Sequence, residues 1–137
     1  LGGADAVGER AEGAVGGALK IADICTPLIA IAEGDPLGNL VMGAFESEDL
    51  HPQSRITVQT YQLARSLVEA GAGMTVVDPF TAAAADHTRV RVRALEPSVP
   101  VQLYLLTAVS SPPAQSARRL VKFLGETARA SLATVGV

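Results

Sequence analysis

Strands alternating with helices along 137 residues predict an α/β fold with a mostly parallel sheet flanked by helices on both faces. Two observations carry that reading. Two apolar or alternating runs, residues 28–32 (LIAIA) and 74–77 (MTVV), lead into an Asp-Pro pair, and a third, residues 56–60 (ITVQT), ends in a threonine. Asp and Thr suit an N-cap, and Pro the first helical position, so each run reads as a strand feeding a helix. The composition agrees: 48% hydrophobic residues with only 4% aromatic and no Trp require a core of Ala, Val, Leu and Ile. Charged residues at 18% exclude a disordered chain.

Residues 1–18 hold six glycines and no sustained period, so they read as a mobile or loosely attached lead-in. The alternative is a strand or helix remnant whose partner lies elsewhere. Residues 19–137 form the α/β unit. The 28–32 run is continuous, as expected of a strand covered on both faces. After Asp35-Pro36, the residues Leu37, Leu40, Val41, Ala44 and Phe45 recur at helical spacing. Residues 47–54 are a polar loop. The next helix, opened by Thr60, has a stripe of Leu63, Ala64, Leu67 and Val68, and Gly71 and Gly73 end it. A short helix from Pro79 ends near residues 86–88. Val90-Arg-Val-Arg93 alternates and predicts a strand near a sheet edge, whereas residues 101–106 (VQLYLL) predict a more central one. The last helix carries a stripe of Ala117, Leu120, Val121, Leu124, Ala128 and Leu132.

The net charge of -3 argues against direct nucleic-acid contact. The lone Cys25 forms no internal disulfide, no run approaches the length of a membrane span, and no secretory leader is recognisable, so a cytoplasmic location is expected. His51 and His87 lack partners at ligand spacing, and no nucleophile elbow, phosphate loop or metalloprotease helix occurs, so neither enzyme chemistry nor a metal or cofactor is expected.

Three helices starting directly after strands place their free N–H groups along one edge, the usual ligand crevice of an open α/β sheet. The candidate ligand-binding residues are Asp35, Pro36, Gln59, Thr60, Tyr61, Asp78, Pro79 and Phe80. Gln59 and Thr60 supply side-chain hydrogen bonds, and Tyr61 or Phe80 an apolar wall. The bland alternative is that Asp35, Thr60 and Asp78 are ordinary caps, and the two carboxylates compete with any anion for those N–H groups.

Three segments carry a family resemblance: residues 19–30 (LKIADICTPLIA), residues 69–82 (EAGAGMTVVDPFTA) and residues 95–105 (LEPSVPVQLYL), followed in register by the last amphipathic helix. In order and spacing they resemble the second subdomain of the effector-binding region of LysR-type transcriptional regulators, and residues 69–82 are similar to the lysine and opine regulators. The resemblance implies a periplasmic-binding-protein-like (type 2) subdomain that senses a small molecule in a cleft. Gln59, Thr60, Pro79 and Phe80 would form one wall, with Asp35-Pro36 as a further edge. It implies a non-enzymatic regulatory module, an effector such as a carboxylate or amino acid, and no membrane partner. The winged helix-turn-helix and nearly all of the first subdomain are not recognised in this sequence, so the last helix is expected to expose its stripe and to drive homo-oligomer formation. A different class stays open, a stand-alone oligomerisation or interaction domain that kept the fold and lost the ligand. A half-size solute-binding protein would require export.

Overall fold

A computed structural model describes residues 6–10, 17–24, 27–32, 34–108, 110 and 113–134. The elements in chain order are β1 (Ala6–Arg10), β2 (Leu19–Lys20), a 3-10 turn (Ile21–Asp23), β3 (Leu28–Ile31), α1 (Pro36–Ser47), β4 (Ser54–Val58), α2 (Tyr61–Glu69), β5 (Thr75–Val77), α3 (Pro79–Ala83), β6 (Val90–Glu96) and α4 (Gln115–Thr134). Strand order is β2-β6-β1-β5 in one sheet and β3-β4 in the other. The two are stitched together where Leu28 bridges Met74 in parallel: the Ile29 N–H donates to the Met74 carbonyl at 2.8 Å, and the Thr75 hydroxyl to the Ile29 carbonyl at 2.9 Å. The β3–β4 and β2–β6 pairs are parallel, and β1 runs antiparallel to both its neighbours.

Period-2 alternation divides the core between two faces. Leu28, Met74 and Val76 turn toward α1 and meet Leu37, Val41 and Phe45, which lie one helical turn apart along its stripe. Ile29 turns the other way, with Val58, Ala64 and Val68 of the α2 side, and Val77 packs on Ala82 of α3. Helices therefore cover both faces, as the alternation of elements predicts. The α2 stripe is narrower than its spacing suggested: Ala64 and Val68 are buried, Leu67 is half-buried and Leu63 is exposed.

Three expectations need correction. The lead-in contains β1, hydrogen-bonded between β5 and β6, and the carbonyls of Gly17 and Ala18 accept from the Arg93 guanidinium at 3.0 and 3.2 Å. Those bonds tie Arg93 to the stretch just before β2. β6 is not at an edge, because β1 and β2 flank it. Residues 101–106 form no strand: among the described residues nothing pairs with them, and Leu103, Tyr104, Leu105 and Leu106 are exposed. Cys25 lies outside the described residues.

Candidate functional site

The strand order reverses between β3 and β5. From β3 the chain leaves through α1 to β4 on one side, and from β5 it leaves through α3 toward β6 on the other. In an open α/β sheet such a reversal opens a crevice at the carboxyl ends of the strands. Asp35 follows β3, Gln59 and Thr60 follow β4, and Asp78 follows β5, so all three junctions sit at that edge.

Each helix N-terminus there is closed by its own cap. Asp35 Oδ2 accepts from the Gly38 N–H at 2.6 Å. Thr60 Oγ1 accepts from the Leu63 N–H at 3.2 Å. Asp78 Oδ1 accepts from the Phe80 and Thr81 N–H groups at 2.9 and 3.0 Å, while its Oδ2 accepts from the Thr81 hydroxyl at 2.5 Å. The caps consume donors that an anionic ligand would need.

Tyr61 joins these ends. Its hydroxyl donates to Asp35 Oδ2, and its ring packs against both the Leu37–Val76 cluster and the Val77–Ala82 cluster. Burial pushes its phenol well above the usual tyrosine range, reinforced by the hydrogen bond to Asp35 and by the charges of Asp35 and Asp78. Tyr61 is thus held as a neutral donor between two fixed carboxylates.

The remaining predicted residues divide by exposure. Gln59, Thr60 and Pro36 are exposed, Phe80 is half-buried, and Pro79 is buried as the first residue of α3. Asp35, Tyr61 and Asp78 are therefore the group that folding brings together, with Gln59 and Thr60 on the open rim.

Local spacing did not reveal a cavity of about 220 Å³ between α1 and β3. Its walls are aliphatic, with Leu28 and Ala30 from β3, Val76 from β5, and Leu37, Val41 and Met42 from α1. Asp35, Asn39, Ser54 and Tyr61 are its polar lining, and no Lys, Arg or His lines it among the described residues. The space has a cause in the sequence. Leu28, Ala30 and Ala32 alternate onto the α1 side of the strand, and the two alanines leave unfilled the volume that a larger side chain would take. Small residues at every second position of an apolar run were the available signal.

The LysR substrate binding domain family matches residues 13–129. Among solved structures, the chain resembles HinK, a LysR family transcriptional regulator from Pseudomonas aeruginosa, with a TM-score of 0.66 and 18% identity, covering 90% of this chain and 44% of that one. It resembles a Corynebacterium glutamicum OxyR C206 mutant with a TM-score of 0.70 and 15% identity, covering 97% of this chain and 43% of that one. A third likeness is to the C-terminal domain of a probable LysR family regulator from Rhodococcus sp. RHA1, with a TM-score of 0.59 and 18% identity, covering 89% of this chain and 63% of that one. The chain thus spans less than two thirds of each of these relatives. No curated protein matches it. Among the described residues no helix is long and apolar enough to cross a membrane. By the extent of the family match and the shared periplasmic-binding-protein-like fold, the chain belongs to the LysR substrate binding domain family, whose members are non-enzymatic modules of transcription regulators.

Proposed function

We propose that this chain is a regulatory effector-binding module that holds a small molecule at the carboxyl edge of its sheet, in a cytoplasmic transcription regulator. The observation that carries this reading is the reversal of strand order between β3 and β5, which gathers Asp35, Tyr61 and Asp78 beside the exposed Gln59 and Thr60. Of the two effector classes, amino acids suit the edge better than simple carboxylates. An amino acid brings an ammonium that meets the carboxylates of Asp35 and Asp78 and offsets its own carboxylate, whereas a simple carboxylate meets two like charges with nothing to offset them and N–H groups already in use. Binding would bias the equilibrium between arrangements of a larger assembly.

The test is calorimetric titration of the chain with a panel of amino acids and matched carboxylates, repeated on Gln59→Ala with Thr60→Ala. The double variant should stay folded, losing about 1 kcal/mol from the missing cap, and should bind the effector more weakly. Undiminished binding would place the effector elsewhere.

A second reading, assembly through α4, is favoured by the exposure of Leu120, Phe123 and Leu124. We propose a homo-oligomer in which that apolar surface is shared between copies, whether or not an effector is bound.

A further inference from the structure

We propose that the cavity between α1 and β3 binds a compact apolar amine, with a single ring or branched alkyl group between the aliphatic walls and its ammonium on the Asp35 carboxylate. Size sets the first limit. A dry apolar cavity of roughly 150 Å³ is known to take benzene, so about 220 Å³ admits one ring with a short substituent. Burying such a group between Leu28, Leu37 and Val41 releases its apolar surface from water.

The polar lining sets the second limit. Asp35 is the only charged residue described there, and the two bonds it receives among the described residues, from the Gly38 N–H and the Tyr61 hydroxyl, fall on Oδ2. A carboxylate offers about four acceptor positions, which leaves Oδ1 for a ligand donor. With no cationic side chain described in the lining, a carboxylate in the same volume would sit beside a like charge without compensation. Asn39 and Ser54 add neutral hydrogen-bonding groups that help orient the ligand without opposing an ammonium. The proposal rests on the effector reading for the ligand's role, but its location rests on the cavity alone.

The experiment is calorimetric titration of the 137-residue chain with 2-phenylethylamine, 2-phenylethanol and 3-phenylpropionate, with folding of every variant checked by circular dichroism. The amine should bind, the alcohol more weakly, and the acid not measurably. Asp35→Asn preserves a capping side chain while removing the charge, so it should lower amine affinity about tenfold and leave the alcohol nearly unchanged. Ala30→Leu should fill the space and abolish binding of both; if it fails to fold, Met42→Trp serves the same purpose from the helix side. Failure of the folded chain to bind any probe overturns the proposal, as does acid binding as tight as amine binding. Amine binding that survives a folded cavity-filling variant but is lost in Gln59→Ala with Thr60→Ala overturns the cavity site while leaving the effector reading intact. Loss in the cavity variant with retention in the double edge variant supports the cavity.

Discussion

Tyr61 ties two levels of the structure together, because a single phenol links helix ends that local sequence treats as separate caps. Its raised ionisation has a definite sign. The folded state favours the protonated phenol, so its stabilising contribution is fully present below the unfolded value of about 10 and is lost as pH rises through the folded value. The chain has two tyrosines, so Tyr104→Phe leaves Tyr61 as the sole phenolic reporter. Its phenolate absorbance should lag well behind that of free tyrosine through alkaline titration and rise with unfolding. A reversible midpoint near 10 in the folded protein would show that neither the burial of the ring nor its Asp35 contact persists in solution. At this scale the caps were legible: Asp35, Thr60 and Asp78 announce themselves by residue type and by the prolines that follow two of them. The Tyr61–Asp35 bond was not, since it spans 26 positions and depends on how α1 and α2 are placed over the sheet.

Among the elements, α1 shows how far periodicity reaches. Leu37, Val41 and Phe45 recur every fourth residue, and all three are buried as the spacing requires. Phe45 is the largest of the fully buried side chains, at 1% exposure, so Phe45→Ala should cost about 3–5 kcal/mol. Urea denaturation would measure this as a lower midpoint with an unchanged slope; a loss under 1 kcal/mol would mean the α1 face is not closely packed. Strands are less legible than helices for a physical reason. A helix satisfies its backbone within its own sequence, whereas a strand needs a partner that its own residues do not specify. Residues 101–106 have the alternation and apolarity of a strand but no described partner, while Ala6–Arg10, in a Gly-rich stretch with little pattern of its own, is a strand because β5 and β6 lie on either side. The cavity beside α1 belongs to the same class: Ala30 and Ala32 were visible as letters, but the space they leave depends on the helix opposite.

At the scale of the whole molecule, large apolar side chains stay exposed on α4 and on the segment before it. Leu106 is 90% exposed and Phe123 is 62% exposed. Light scattering should accordingly give a mass that is a multiple of 14.1 kDa, and Leu106→Glu combined with Phe123→Glu should return it to the single-chain value. A wild-type chain that is already monomeric at high concentration would remove the assembly reading. The antiparallel strand in the middle of the sheet has a consequence in time. Its residues leave the ribosome before those of β5 and β6, yet its two ladders wait for those strands, so its pairing is completed only when β6 arrives. Until β6 has emerged, one flank of β1 stays open to any passing strand, and such long-range closure is intrinsically slow. The interval between the emergence of β5 and that of β6 is therefore the one most exposed to mispairing.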